Sequence, residues 1–487
     1  MERKTNVLLV TIAIFVATFM TAVEGTIVTT AMPTIVGSLH GIEIMNWVFS
    51  IYLLTNAMLT PIYGKLADKV GRKPIFIFGT AIFIIGSALC GFSNTMLTLI
   101  VSRAIQGIGA GAMMPVALTI LADLYDSEKR ARMLGLNSTA WGIASVVGPL
   151  AGGFIVDTVG WHWIFFINVP IGFILIAMIV IFLIEPKRAK STQRMDFLGS
   201  FFLMAMLLSL LLGFQYLSDS GFQWQVLALF GVTIIACIIF IAIEKRAEDP
   251  VISLDLFKNH VFVVVNLVAA LASGFLMGVE VYIPMWMQGV LGLSAGIGGL
   301  VLAPLSILWV WGSSMSSRWM TTKTLNWVLS TSLLIVLIGG LGLFLAPTQT
   351  PFALFFFISA IIGIGMGATT VVTTIMSQNS VPTTQLGMAT SFNTLARTIG
   401  QTVMVSVFGI TLNMVTSSKL AGTSLASNPD IMNQLVNPQT AKLLSEEVRG
   451  PLREILYQGL HTVYALAIAL IILALIITQT LRKKVLQ

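Results

Sequence analysis

Fourteen apolar runs divide this sequence, and each is long enough to cross a lipid bilayer as a helix. A helix that spans the roughly 30 Å hydrocarbon core needs about 20 mainly apolar residues. Only 10% of the 487 residues are charged, whereas a soluble domain carries about 25% charged residues. The sequence therefore predicts an all-α membrane protein with fourteen transmembrane helices. The runs lie near residues 7–32, 45–64, 74–92, 96–119, 132–156, 163–184, 196–217, 223–243, 261–287, 294–315, 325–345, 351–375, 386–412 and 460–480.

Basic residues are concentrated in alternate connections between these runs. When both termini are placed in the cytoplasm, the inner segments hold 21 of the 27 Lys and Arg residues, which is the arrangement that the positive-inside rule requires. This bias predicts cytoplasmic termini and an even number of spans. It also accounts for the net charge of +7 without a nucleic-acid partner.

The two halves of the chain share an internal repeat. Residues 105–112 (IQGIGAGA) match residues 361–368 (IIGIGMGA) at six of eight positions with an offset of 256, and Gly148 matches Gly400 with an offset of 252. Parallel repeats of six helices are typical of one large transporter architecture. The repeat predicts an N-terminal six-helix bundle (1–190), an inserted transmembrane hairpin (191–244), a cytoplasmic linker (245–260), and a C-terminal six-helix bundle (261–487) with an outer loop at 415–458.

Four charged side chains lie well inside the apolar runs: Glu24, Arg103, Glu280 and Arg397. A charge in the hydrocarbon layer costs several kcal/mol, so such groups are usually paired, protonated or functional. Glu24 and Arg103 are expected at comparable depth, where Arg103 and a proton would compete for one carboxylate. Glu280 follows Glu24 by 256 residues, the offset of the repeat, so we expect it to be the counterpart of Glu24 in the second half. It is either a second protonation or cation site or an interfacial acid exposed to water. Arg397 needs a partner that the sequence does not name.

Residues 64–73 (GKLADKVGRK) join the second and third runs. This pattern resembles the signature loop of the major facilitator superfamily, which implies the major facilitator fold. The resemblance implies that Gly64, Asp68, Gly71 and Arg72 form a gate that holds the two bundles together in the outward-open state. Gly64 is expected to let helices approach closely, and Asp68 is expected to pair with an arginine and to cap a helix N-terminus.

Further motifs resemble a particular branch of that family. Residues 103–107 (RAIQG) resemble its proton-coupling motif, and residues 142–153 (GIASVVGPLAGG) resemble its antiporter motif. Within the latter, Pro149 removes a backbone donor and bends the helix, and Gly148, Gly152 and Gly153 allow close packing. Residues 23–33 (VEGTIVTTAMP) and 161–170 (WHWIFFINVP) resemble the fourteen-helix drug:proton antiporters, which usually carry Asp at the position of Glu24.

This resemblance implies a proton-coupled multidrug efflux antiporter that exports amphipathic, cationic compounds by alternating access across a bacterial cytoplasmic membrane. The energy source would be the proton gradient, with no cofactor, and the chain is expected to act as a monomer in the lipid bilayer. The sequence contains no Walker A pattern and no metal-ligand cluster, so an enzyme is not expected. The expected proton-coupling residues are Glu24, Arg103 and Glu280, and the expected substrate contacts are Glu24, Glu280, Trp141, Trp286 and Trp309.

Two other functions remain open at this point. The first is a dedicated proton-coupled exporter of one metabolite or lipid, which would share all of these motifs. The second is a non-transporting membrane sensor, which would move no protons and would not need Arg103.

Overall fold

The computed structural model describes residues 5–483, except for 126, 186–195, 221, 248–249, 253, 382–385, 424, 426–427 and 429. At some helical positions, among them Asp68 and Trp141, it describes the backbone alone. The described chain is built from helices, which confirms the predicted all-α class.

Eighteen α-helices lie within the described residues. Thirteen described segments are long and apolar enough to cross a membrane, and together with the 32-residue helix α5 they correspond to the fourteen predicted runs. The helices are α1 (Val7–Leu39), α2 (Asn46–Val70), α3 (Arg72–Gly91), α4 (Met96–Leu124), α5 (Ser127–Thr158), α6 (Trp163–Phe166), α7 (Asn168–Phe182), α8 (Phe197–Ser220), α9 (Trp224–Glu244), α10 (His260–Met285), α11 (Ala295–Leu300), α12 (Ala303–Trp319), α13 (Leu325–Leu345), α14 (Phe352–Asn379), α15 (Leu386–Ala421), α16 (Ile431–Val436), α17 (Pro438–Ala441) and α18 (Glu446–Gln479).

Alternating glycines pack α4 between two neighbours, and α14 repeats the arrangement. A Cβ atom at Gly107 would lie 2.6 Å from a carbonyl oxygen of α2, and one at Gly109 would lie 2.3 Å from a backbone nitrogen of α3. In the second half, Gly363 meets α12 and Gly365 meets α13 in the same way. Because small residues let backbones approach closely within a membrane, the repeated glycines produce the same three-helix packing in both halves.

The two halves meet at one end of the molecule, which we call the outer end after the predicted orientation. This end carries the connection between α1 and α2, and residues of the second half donate hydrogen bonds there to three helices of the first half. They are Tyr282 Oη to Asn46 Oδ1 (2.9 Å), Gln288 Nε2 to Thr30 O (3.1 Å) and Gly296 N to Asp157 Oδ2 (3.0 Å). The outer end is therefore closed in this conformation.

The predicted outer loop at 415–458 is too long. Helix α15 continues to Ala421, and α18 already begins at Glu446, so the connection between them is about half of the predicted segment. Pro451 lies inside α18, near its start, where the missing N–H removes only one backbone hydrogen bond and does not end the helix. The short helices α16 and α17 occupy this connection.

Candidate functional site

Glu24 of α1 and Arg103 of α4 form an ion pair in the interior of the first bundle. Each side chain is almost completely buried, with 1% of the residue exposed. Nη1 of Arg103 donates to Oε1 of Glu24. The proximity expected from the sequence is present, although the role of the pair in proton coupling stays a prediction.

The guanidinium of Arg103 is held from three further directions. Its Nη1 donates to Oε1 of Gln106 at 2.7 Å, and its Nε donates to the carbonyl oxygen of Val48 at 3.2 Å. Its central carbon lies 4.0 Å from the centre of the Tyr52 ring, which is a cation–π distance. Helices α2 and α4 together fix the position of this charge.

Asn168 holds the second oxygen of the Glu24 carboxylate. Its Nδ2 donates to Oε2 of Glu24 at 2.7 Å and to Oγ of Ser87 at 3.0 Å. Ser87 also accepts from Nε2 of Gln106 at 3.1 Å. Four helices, α1, α3, α4 and α7, thus contribute to one closed polar network.

The sequence analysis missed Asn168, Gln106 and Ser87 as members of this site. A signal for Asn168 was present, because it stands in the run 161–170 that resembles the antiporter branch. A carboxamide at the start of an otherwise apolar helix needs a partner. The sequence alone did not show that this partner is Glu24.

Burial makes this network sensitive to the protonation of Glu24. Two charges removed from water are tolerated only when they face each other and their remaining donors and acceptors are bonded. Both conditions hold here for the carboxylate. A proton on Glu24 would cancel its negative charge and leave the Arg103 cation with neutral acceptors only, which would weaken the contact between α1 and α4.

The predicted antiporter motif connects the helix that carries Glu24 to the second half of the molecule. A Cβ atom at Gly148 would lie 2.0 Å from Oγ1 of Thr26 on α1. A Cβ atom at Gly153 would lie 2.3 Å from Cα of Gly296 on α11. Gly152 packs on α1, and the carbonyl oxygen of Pro149 faces α11. Because a Cβ atom at Gly148, Gly152 or Gly153 would overlap atoms of α1 or α11, α5 has no room for larger residues there.

The segment at 64–73 is not the loop that the sequence predicted. Helix α2 runs to Val70 and α3 begins at Arg72, so Gly71 with φ +118° is the only residue between them. Asp68 therefore lies in α2, and its side chain is outside the described atoms. A Cβ atom at Gly64 would meet no described atom within 4 Å, so the described residues provide no close helix contact at Gly64.

Glu185 caps the N-terminus of α3, the role that was expected of Asp68. Its Oε1 accepts from the backbone N–H of Arg72 at 2.7 Å, and its Oε2 accepts from that of Lys73 at 3.1 Å. A carboxylate at this position compensates the unpaired N–H groups and the positive end of the helix dipole. The side chain of Arg72 pairs with Asp123 and donates to the carbonyl oxygen of Thr119.

Among the described side chains, Glu280, Trp286 and Trp309 make no hydrogen bond, ion pair or cation–π contact with Glu24 or Arg103. Glu280 is half-buried in α10 and makes no hydrogen bond or ion pair with another described residue. Trp286 is fully buried in an aromatic cluster with Phe355, Tyr457, His461 and Tyr464. Trp309 is half-buried, and the side chain of Trp141 is outside the described atoms.

The helix register argues against Glu280 as the structural counterpart of Glu24. Glycines in α5 and α15 meet the parallel neighbours α1 and α10 at Thr26–Gly148 and at Ala270–Gly400. If the two glycines are equivalent, Ala270 corresponds to Thr26, and Glu280 lies twelve positions further toward the outer end than Glu24. At about 1.5 Å per residue this is roughly 18 Å. The pairing of Gly148 with Gly400 and the pairing of Glu24 with Glu280 therefore cannot both be structural equivalences.

Comparison with known proteins identifies relatives along nearly the whole chain. A family model described as Major Facilitator Superfamily matches residues 14–405. The multidrug transporter protein MdtP of Bacillus subtilis (strain 168) is 36% identical over 417 residues, covering 85% of this chain and 76% of that protein. Multidrug resistance protein 3 of the same strain is 33% identical over 484 residues, covering 96% of this chain and 93% of that protein.

One further relative and one solved structure also match this chain. The multidrug export protein EmrB of Escherichia coli (strain K12) is 34% identical over 310 residues, covering 62% of this chain and 60% of that protein. Among solved structures, a bacterial homologue of the human lysosomal transporter Spinster, in an inward-facing and occupied conformation, superposes with a TM-score of 0.70 at 16% identity over 98% of this chain and 97% of the other. At this identity the superposition shows the fold alone.

Proposed function

This chain belongs to the major facilitator superfamily and is a multi-pass membrane transporter rather than an enzyme, and from this premise we propose that it is a proton-coupled multidrug exporter. Its substrates are amphipathic and mainly cationic compounds, and it works by alternating access. The relatives named for multidrug transport or resistance support an exporter of several compounds. The single observation that carries proton coupling is the buried Glu24–Arg103 pair.

The exchange of partners at Glu24 is the proposed coupling step. In the closed-outside conformation, the carboxylate is bonded to Arg103 and Asn168. When the outer end opens, a proton from outside reaches Glu24 and releases Arg103 from its charged partner. The return to the inward conformation exposes Glu24 to the more alkaline cytoplasm, where it loses the proton and attracts Arg103 or a cationic substrate again.

The antiporter motif transmits this change in the proposed mechanism. Helix α5 touches α1 within one turn of Glu24, at Thr26, and touches α11 of the second half at Gly296. A movement of α1 on protonation would therefore act directly on the contact that closes the outer end. The proposed orientation places both termini in the cytoplasm of a bacterial cell.

Reconstituted liposomes test the proposal. An inside-acid pH gradient is imposed, and a lipophilic cation such as ethidium or benzalkonium is added outside. We expect substrate-dependent loss of the gradient with the unchanged protein and none with Glu24→Gln. Glu43→Gln is the matched control, because Glu43 is an exposed acid at the outer end, and it should exchange at the unchanged rate.

Two results would contradict the proposal. Exchange at the unchanged rate by Glu24→Gln would show that this carboxylate does not carry the proton. Absence of any gradient loss with every cation, from folded protein, would favour a dedicated exporter of a neutral or anionic metabolite or lipid.

A further inference from the structure

Arg397 is a second arginine in the membrane interior, and it lies outside the Glu24–Arg103 network. It stands in α15, five residues into the apolar segment Phe392–Ala421 that is long enough to span the membrane. Its side chain is half-buried. An arginine stays charged in a protein, so this position requires compensation for a permanent positive charge.

Only neutral oxygen atoms of α14 contact the Arg397 guanidinium among the described residues. Nη2 donates to the carbonyl oxygen of Thr370 at 2.7 Å, to Oγ1 of Thr373 at 3.2 Å and to Oγ1 of Thr374 at 2.7 Å. Both hydroxyls donate their own protons to carbonyls one turn earlier, at Thr369 and Thr370, so their lone pairs are directed to the guanidinium. This cradle fixes one nitrogen and leaves Nε and Nη1 without a partner in the described part of the chain.

Glu280 is too distant along the bundle to supply the missing negative charge. Helices α10 and α15 run in parallel and meet at Gly274–Met404 and Gly278–Phe408, which places Glu280 level with Ile410. Arg397 is thirteen residues away from that level, or roughly 20 Å at about 1.5 Å per residue. The charge of Arg397 therefore has no described carboxylate within reach.

The Arg397 side chain also does not extend toward the nearby end of α14. A long basic residue near a helix end can extend its charged group into the interfacial water. The Arg397 guanidinium instead binds the carbonyl of Thr370, which lies nine residues before the end of α14 at Asn379. At about 1.5 Å per residue, that is roughly 14 Å from the helix end.

We propose that Arg397 is an anion-binding subsite that accepts the carboxylate of amphipathic organic anions and zwitterions. Nε and Nη1 have no partner among the described residues, and each presents an N–H donor to which a carboxylate oxygen can bind in a charge-assisted hydrogen bond. An entering carboxylate supplies the counter-charge that the protein lacks at this place. The inference rests on the proposed function only in that it extends the substrate class of the exporter beyond cations.

The test uses three probes that share one aromatic body: 1-pyrenebutyrate, its methyl ester and pyrenylbutyl-trimethylammonium. Binding to the full-length protein in nanodiscs is measured by fluorescence anisotropy, with empty nanodiscs subtracted. We expect the unchanged protein to bind the carboxylate about tenfold more tightly than the ester, since hydrogen bonds to charged groups are the strong ones. Arg397→Gln should remove this preference and leave the affinity for the ester and the ammonium probe unchanged.

Two variants control for charge and for folding. Lys419→Gln removes one exposed positive charge from the same helix and should keep the full preference for the carboxylate. Arg397→Lys keeps the positive charge but has fewer N–H groups to divide between α14 and a ligand, and should keep part of the preference. Equal binding of carboxylate and ester by the unchanged protein would overturn the proposal without any variant, as would an unchanged preference in Arg397→Gln.

This outcome is separable from the test of proton coupling. If the liposomes show no proton–cation exchange while the carboxylate preference depends on Arg397, the proposed cation exchange fails and the anion subsite stands. If exchange depends on Glu24 and the affinity for the pyrene carboxylate does not depend on Arg397, the proposed cation exchange stands and the anion subsite fails.

Discussion

At the scale of single residues, the polar network around Glu24 consists of groups that each need the others. The buried cation of Arg103 donates to one oxygen of the buried Glu24 carboxylate, and Asn168 donates to the other oxygen. In a medium of low dielectric constant, a missing partner costs more than the bond itself contributes. Substitutions here should therefore act through the partner that is left behind.

The first prediction concerns the shape of the cation. Arg103→Lys keeps the charge, but an ammonium cannot reproduce the planar fork that contacts Glu24, Gln106 and the Tyr52 ring together. We expect proton-coupled transport to be lost in both Arg103→Lys and Arg103→Gln. Arg103→Gln should also lower the free energy of unfolding by about 3–5 kcal/mol, because it leaves a buried carboxylate unpaired. Thermal unfolding and liposome transport measure the two effects, and active transport by Arg103→Lys would contradict the assignment.

The second prediction concerns Asn168, the member that the sequence analysis missed. Asn168→Ala should lower the free energy of unfolding by about 1–3 kcal/mol, because Oε2 of Glu24 loses its donor inside the bundle. In a Glu24→Gln background the same substitution should cost less, since the charged acceptor is absent. A double-mutant cycle from thermal unfolding measures this coupling. Strictly additive effects would mean that Asn168 does not act through Glu24.

At the scale of helices, glycines set how closely the spans approach. A Cβ atom at Gly86 of α3 would lie 2.4 Å from the backbone nitrogen of Gln106 on α4, directly below the polar network. A Cβ atom at Gly64 of α2 would meet no described atom within 4 Å. A methyl group is therefore excluded at Gly86 but accommodated at Gly64, although both glycines stand in runs of similar composition.

The third prediction uses this pair. Gly86→Ala should lower the free energy of unfolding by about 1–3 kcal/mol, because the backbones of α3 and α4 must separate to admit a methyl group. Gly64→Ala should leave the free energy of unfolding unchanged within error. Both values come from thermal unfolding in the same detergent, and equal destabilisation by the two substitutions would refute the packing argument.

At the scale of the whole molecule, closure of the outer end depends on contacts between the halves. The backbone of α5 touches that of α11 at Gly153–Gly296, and Tyr282 of α10 donates to Asn46 of α2. These contacts have no space for an added atom at Gly153. The balance between the two conformations should therefore respond to a single methyl group there.

The fourth prediction follows from this closure. Gly153→Ala should favour the conformation that is open to the outside, because its Cβ atom would lie 2.3 Å from Cα of Gly296. Thr30→Cys, in a background without Cys90 and Cys237, reports the change through labelling by a membrane-impermeant maleimide, because Thr30 is buried at the closed outer end and bonds Gln288 through its backbone oxygen. We expect labelling to increase several-fold. Gly25→Ala, whose Cβ atom would meet no described atom within 4 Å, should leave the labelling rate unchanged, and an equal rise there would remove the support for this prediction.

Composition and periodicity alone determined much of this protein. The positions of the spans follow from local hydropathy, because a helix in lipid satisfies its own backbone hydrogen bonds and must present apolar side chains to the hydrocarbon. The glycine repeat of α4 and α14, the buried acid Glu24 and the basic Arg103 could also be read directly, since each is anomalous within its own apolar run.

Only the tertiary structure decided which residues bind the buried polar groups. The bond from Asn168 to Glu24 joins residues 144 apart, and the cap of Glu185 on α3 joins residues 113 apart. A run of sequence reports that a polar group is buried, but not which helix lies beside it. The sequence also did not show the height of Glu280 relative to Glu24, because this height depends on which residues of α10 and α15 lie side by side. For Arg397 the sequence showed only that a charge lies in an apolar run, whereas the tertiary structure shows that α14 binds Nη2 of its guanidinium through neutral oxygen atoms.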